Sequence, residues 1–263
     1  MISETDEQRG RREQWRRLFD GIAGRYDAAR PGYPAEIVDT VCAIAGTGPG
    51  ASVLEIGCGT GQLTRQLAGR SFQLTAIDIG TAMVAAARRN VSDLAARFQV
   101  CSFEQFTGRG PFDLIVSATA FHWVDPGIGL AKAARLLRPG GWLALLSTEE
   151  RYPEPLRTAL RALWVTHSRQ VVRAAGQPAW VAGLRDTALF GEPAEQVHTT
   201  AMRLPVQAVV AVECTRATFL SFSESDQAGF TADLIALLQP GDHVDLVQET
   251  LLAMAAVVTR PQH

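Results

Sequence analysis

The stretch Val53-Leu54-Glu55-Ile56-Gly57-Cys58-Gly59-Thr60-Gly61-Gln62-Leu63-Thr64, with Asp78 beyond it, constrains this chain more than any other. Val53, Leu54 and Ile56 form a short apolar run that ends in glycine, the pattern of a strand buried on both faces. Glycines at alternate positions then let the backbone turn sharply and come close to a ligand where a Cβ would collide. From Gln62 the pattern becomes helical, so the loop ends at a helix N-terminus, whose free N–H groups favour polar or anionic groups. A second apolar run, Leu74-Thr75-Ala76-Ile77, ends on Asp78. This is about 20 residues past the glycines, where nucleotide-binding α/β folds place the acid for ribose hydroxyls.

The loop is not a dinucleotide fingerprint. Its last glycine gap is one residue shorter than in G-x-G-x-x-G, and Glu55 lies two residues before the first glycine, where it would repel a pyrophosphate. A cofactor carrying an amino group and a sulfonium suits the loop better than a diphosphate.

The rest of the chain narrows the class. Its 263 residues suffice for one large α/β domain with elaborations, and 47% hydrophobic with 20% charged residues describes an ordinary globular protein. A net charge of -2 offers no general attraction to nucleic acid or to an acidic membrane. Cys42, Cys58, Cys101 and Cys214 form no CxxC pair and no ligand-like spacing with histidine, so neither a metal site nor a disulfide framework is expected. The polar N-terminus and the lack of a long apolar run lead to the expectation of a cytoplasmic protein.

Further motifs follow the same order as in a known family. Tyr26-x-x-x-Arg30-Pro31-x-Tyr33-Pro34 precedes the central strand; Phe112-Asp113-Leu114-Ile115-Val116 reads as another strand; Leu136-Leu137-Arg138-Pro139-Gly140-Gly141 is a turn between a helix and a strand. Together with the glycine loop they resemble class I S-adenosylmethionine (SAM)-dependent methyltransferases of the small-molecule type, similar to the trans-aconitate and yeast-type enzymes, over residues 19–148. The resemblance implies an α/β, Rossmann-like doubly wound sheet of about seven strands with its last strand pair antiparallel, and SAM as cofactor. It implies a cofactor set of Tyr26, Arg30 and Tyr33 in a lid, Glu55, Gly57, Cys58, Gly59, Thr60 and Gly61 in the loop, and Asp78, Ile79 and Met83 after the second strand. Ser102, Phe103 and Ala118 complete it, with Ser102 where an acid usually takes the adenine amino group.

His122, between Phe121 and Trp123, follows the strand that ends at Ala118, at the edge where open α/β sheets hold ligands. It is a candidate general base, or a residue that only shapes the pocket. Residues 1–34 are expected as an N-terminal helical arm and cofactor lid, 35–150 as the SAM-binding core, 151–240 as a cap with late sheet elements, and 241–263 as the final core strand. The arm is basic, and reads either as a solvated tail or as a segment that covers the site or docks on a second subunit through Trp15 and Phe19. In the cap, 155–172, 208–222 and 226–238 look helical, 197–206 looks like a strand, and 173–193 looks loop-rich. Phe121, Trp123, Trp164, His167 and Trp180 are candidates for the acceptor pocket.

The expected acceptor is a small, apolar organic molecule methylated at oxygen or carbon, with neither nucleic acid nor membrane as a partner. Ser117-Ala118-Thr119-Ala120 stands where amine-methylating relatives carry an Asn-Pro-Pro-Tyr-type tetrapeptide. The rival readings are a SAM-binding sensor or partner protein without turnover and a NAD- or FAD-linked oxidoreductase.

Overall fold

A computed structural model describes residues 10, 17–168, 178–239 and 241–258. Trp15 and, apart from Gly10, the first sixteen residues of the N-terminal arm lie outside the described residues.

Seven strands form one sheet. They are β1 (Ser52–Ile56), β2 (Gln73–Asp78), β3 (Ala96–Val100), β4 (Phe112–Ala118), β5 (Leu137–Arg151), β6 (Ala194–Pro205) and β7 (His243–Ala256), in spatial order 3-2-1-4-5-7-6. The first five are mutually parallel; β7 runs antiparallel to both β5 and β6, as the resemblance implies. The order reverses beside β1, between the glycine loop and the end of β4, and open sheets bind ligands at such a reversal.

The apolar run of β1 is explained by burial on both sides. Leu54 and Ile56 join a cluster with Ile77, Ile115, Leu143 and Leu145 on one face. Val53 packs with Leu74, Leu114, Val116 and Ala144 on the other. Helices α1 (Ala23–Ala29), α2 (Ala35–Ala45), α3 (Gln62–Ala68), α4 (Thr81–Asn90) and α5 (Gly129–Leu136) belong to this half. Five further helices follow β5: α6 (Leu156–Ser168), α7 (Ala179–Arg185), α8 (Val206–Glu213), α9 (Ala217–Leu220) and α10 (Glu224–Leu238). Four of these helices build a separate core, in which Trp164, Val209, Phe219, Phe230 and Leu234 meet Val244 and Leu246 of β7. Among the described residues no helix is long and apolar enough to cross a membrane.

Two expectations need correction. The region 173–193 is not simply loop-rich: its described part contains α7, which buries Trp180, Val181 and Leu184. Gly183 and the preceding Pro178 conceal this short helix from pattern reading, and burial of one apolar side stabilises it against poor local propensity. The other concerns 208–222, which is two helices, α8 and α9, parted at residues 214–216, and not one. The sheet also carries β5 well past the apolar run 142–146. Thr148, Glu149 and Glu150 pair with Thr250, Glu249 and Gln248 of β7. Cross-strand pairing carries polar residues that hydropathy alone leaves out, and this extension delivers Thr148 and Glu150 to the cleft.

Candidate active site

The three glycines of the loop have separate roles. Gly57 has φ 72°, and a Cβ there would stand 2.3 Å from the Ala120 Cβ, so only glycine lets β1 and the β4 turn close together. Gly59 has φ 54° and a Cβ would meet nothing nearer than Gln62 Oε1 at 3.9 Å, since this position faces open space. At Gly61, φ is 97° and a Cβ would approach Ala87 Cα to 3.2 Å. Gly61 therefore serves close packing of α3 on α4, and does not line the cleft as the resemblance implied.

Asp78 ties the first two loops together. Its Oδ2 accepts from the Gly59 N–H at 3.0 Å and its Oδ1 from the Gly80 N–H at 2.8 Å. Asp20, before α1, places Oδ1 2.7 Å from the Ala82 N and 3.2 Å from the Met83 N, so a carboxylate sits at the positive end of α4. Asn90 donates 2.8 Å bonds to Asp27 Oδ1 and to the Thr60 carbonyl, and Arg30 Nε donates to Thr215 Oγ1 at 3.0 Å. The segment 17–33 is thus pinned across the cleft at both ends and in the middle. Phe19 stands between Tyr26 and Trp123, with ring centroids 5.8 and 6.1 Å away.

Beneath this strap lies a cavity of about 380 Å³. It runs from Asp78, Ile79, Met83, Ser102 and Phe103 to His122, Trp123, Arg216 and Thr218. A smaller lobe of about 60 Å³ is lined by Tyr33, Glu55, Cys58, Gln62, Glu150 and Gln248. Tyr26, Arg30, Gly57, Gly59, Ala118, Thr119 and Thr148 line both, so the two spaces are one cleft.

Several candidates fall elsewhere. Thr60 is fully buried, and its Oγ1 accepts from Gln62 Nε2 at 2.7 Å. Phe121 is turned into the sheet core, where Trp180 is also buried. Residues 121–123 form a single 3₁₀ turn, and a rotation of about 120° per residue sends Phe121 inward while His122 and Trp123 face the cavity. Trp164 packs 4.3 Å from the Phe230 ring and donates from Nε1 to Glu213 Oε2 at 3.0 Å. His167 pairs with Asp233 at 2.9 Å and meets the edge of Phe230. None of these four aromatic and imidazole rings touches the cleft; aromatic composition cannot separate a core ring from a pocket ring.

Conversely, Thr119, Thr148, Glu150, Gln248, Arg216 and Thr218 line the cleft without having stood out in the sequence. Only Thr119 left a trace, as the residue just past a strand end. It holds φ 52° and bonds its hydroxyl to the Tyr33 OH at 3.1 Å, so an unfavourable backbone geometry is kept at the sheet reversal.

The cleft perturbs its titratable groups. Burial pushes Glu55 up to about 8, and Asp78 adds to the effect. Its Oε2 has no partner among the described residues. Burial raises Tyr26 and Tyr33 as well. His122 is exposed and opens to the cavity, yet the protein packed around its imidazole desolvates it and lowers it to about 4. Burial also works against the Arg216 charge, yet the carboxylates of Glu213 and Glu150 outweigh it and raise the pKa. In Glu213 burial opposes ionisation, but Arg216 and donated hydrogen bonds bring the net shift down.

Comparison with known proteins agrees with this geometry. Residues 53–141 match the family model for the methyltransferase domain. An uncharacterized methyltransferase of Mycobacterium tuberculosis is 30% identical over 190 residues, covering 72% of this chain and 69% of that protein. A malonyl-[acyl-carrier protein] O-methyltransferase of Hahella chejuensis is 32% identical over 130 residues, 48% of this chain and 46% of its own. Among solved structures, one described as a putative type II methyltransferase from Anaeromyxobacter dehalogenans shares the fold with a TM-score of 0.67 at 20% identity, covering 88% of this chain and 99% of that one. With the glycine loop, the Asp78 bridge and the 3-2-1-4-5-7-6 sheet, these similarities establish that the chain belongs to the class I SAM-dependent methyltransferases.

Proposed function

We propose that the cleft moves the methyl group of SAM to an oxygen or carbon of a small organic acceptor, with the apolar part of that acceptor lying against Phe19 and Trp123. The observation that carries this reading is the continuity of the cavity from Asp78 to those two rings, in a volume of about 380 Å³. A space of that size under a pinned strap suits a nucleoside with a small molecule beside it. It does not suit a nucleic-acid strand or a protein surface. The O-methyltransferase relative supports oxygen over carbon.

The residues present fit the cofactor. The buried Glu55 oxygen without a partner suits the ammonium of the methionine part, and its cost is relieved when that charge arrives. Open space at Gly59 admits a ligand close to the backbone. Asp78 places a carboxylate at the end of β2 and lines the cavity, the group and position suited to ribose hydroxyls. Ser102 and Phe103 occupy the adenine end, while Arg30, Tyr26 and Tyr33 close the methionine end. SAM, when bound, supplies a methyl carbon already activated by its sulfonium.

What remains for the protein is positioning and exclusion of water. His122, held near 4, is neutral at physiological pH and a weak base. It suits an acceptor atom that needs little help in losing a proton, and we assign it to shaping the pocket.

The test is calorimetry with S-adenosylhomocysteine (SAH), then transfer of labelled methyl from SAM to a panel of phenols, carboxylates and terpenoids. Micromolar SAH binding and labelled product are expected. Asp78→Ala should weaken SAH at least tenfold, because a charge-assisted hydrogen bond contributes about 1.5–3 kcal/mol. SAH binding without turnover across the panel would favour a non-catalytic binding protein, and no SAH binding would overturn the site.

A further inference from the structure

One cationic side chain in the cleft has no part in the cofactor scheme. Arg216 follows the C-terminus of α8, with its N–H bonded to the Glu213 carbonyl at 3.2 Å, and it caps the start of α9. Its Nε donates to Glu213 Oε2, and its Nη2 to Glu213 Oε1 and Glu150 Oε2, each at 2.8 Å. The second terminal nitrogen, Nη1, makes no hydrogen bond among the described residues. The side chain keeps 31% of its surface exposed, and Arg216 lines the large lobe together with Ala217, Thr218 and Trp123.

The fixing of this arginine is extensive. Glu213 is 1% exposed and is itself held by the Tyr152 OH at 2.9 Å and by Trp164 Nε1 at 3.0 Å. The Glu150 side chain is 2% exposed, with Arg30 Nη1 on its far side at 4.0 Å. Two carboxylates and two guanidinium groups therefore balance. Well-packed apolar residues would serve stability at least as well as a buried ionic cluster. This cluster does not seal its arginine inside: the side chain stays part-exposed, Nη1 is left without a bond, and Arg216 lines the same cavity as Phe19 and Trp123. A guanidinium fixed in this way loses little rotamer freedom when it binds an oxyanion.

We propose that Arg216 is the acceptor-specificity residue: its Nη1 edge receives a carboxylate of the small-molecule acceptor, whose apolar body lies against Phe19 and Trp123. This rests on the methyl-transfer reading of the cleft and narrows its acceptor to organic acids. Arg216 is a recognition residue here, and Glu213 and Glu150 are the positioning residues that aim it.

The experiment uses the full chain saturated with SAH. Phenylacetate, 3-phenylpropionate and octanoate are titrated by calorimetry, each against its own primary amide, on wild type, Arg216→Lys and Arg216→Gln. Wild type should prefer at least one acid over its amide by tenfold or more. Arg216→Lys, which keeps the charge for Glu213 and Glu150, should reduce that preference several-fold, and Arg216→Gln should abolish it. SAH affinity should stay within twofold throughout.

Absence of any acid preference in wild type overturns the inference without needing a folded variant. So does a preference that survives in folded Arg216→Lys. A fall in SAH affinity on changing Arg216 would assign it to the cofactor and equally overturn the proposal. SAH binding without acid preference leaves the methyl-transfer reading standing, whereas failure of wild type to bind SAH removes both.

Discussion

The two walls of the cleft are built by different physics. On the β1–β2 side, position is set by the backbone: glycines at positive φ, N–H groups on Asp78, and a close approach to Ala120 that no Cβ could share. Each contact there spans a short stretch of chain or neighbouring parallel strands. The opposite wall is set by side-chain charge across long separations. Arg30 reaches Thr215, 185 residues away, and Arg216 reaches Glu150, 66 residues away. A wall set by backbone geometry is tied to the fold itself, while a wall made of exchangeable side chains can change its ligand without changing the fold.

This contrast can be broken most severely at Gly57. Gly57→Val places a branched side chain at positive φ against Ala120, so SAH binding should be lost by more than a hundredfold with a lower melting temperature. Gly59→Val, with open space but φ 54°, should lose SAH binding with a smaller fall in melting temperature, from backbone strain without the clash. Equal melting losses at both positions would show that Gly59 is also a packing glycine.

The charged wall fails in another way. Glu213→Ala leaves Arg216, the Tyr152 OH and the Trp164 N–H short of a buried partner. Breaking such a cluster costs about 3–5 kcal/mol, measured by denaturant unfolding. SAH affinity in the surviving folded fraction should be little changed. A loss below about 1 kcal/mol would mean the cluster is wetter than its burial implies.

A smaller effect tests the cofactor wall through pH. Glu55 near 8 is mostly protonated at neutral pH in the free protein, whereas an ammonium ligand favours the carboxylate. SAH affinity should therefore rise with pH by up to about tenfold per unit below 8 and level off above it. Binding at pH 7 should release a proton, seen as a buffer-dependent enthalpy. The stability of the free protein should follow the opposite trend, because the folded pKa lies above the ordinary value of 4.5. This group's contribution to stability is complete below that ordinary value and is lost as pH rises towards about 8. Glu55→Gln should flatten both profiles, and unchanged profiles would separate Glu55 from the ligand.

The smallest effect is expected at His122. Its ionisation near 4 leaves nothing to titrate between pH 6 and 9. His122→Ala should lower turnover only a few-fold with an unaltered pH–rate profile. A hundredfold loss together with a vanished ionisation would make it the general base.

Residues 53–78 determined the backbone of the β1–β2 wall of the cleft. A two-faced apolar strand, glycines that tolerate positive φ and an acid at the next strand end act through backbone geometry that is local in the chain. Even there, tertiary packing separated Gly59, which faces the cleft, from Gly61, which accommodates Ala87. Phe121 and Trp123 belong to one short motif, yet only the hand of a 3₁₀ turn decided which ring met the cavity. Arg216 was one arginine among many until the pairing of β5 with β7 brought Glu150 beside it and α8 brought Glu213. Side-chain partners so far apart in the chain leave no periodicity and no spacing to read. Their meeting is a property of the packed sheet and its helices.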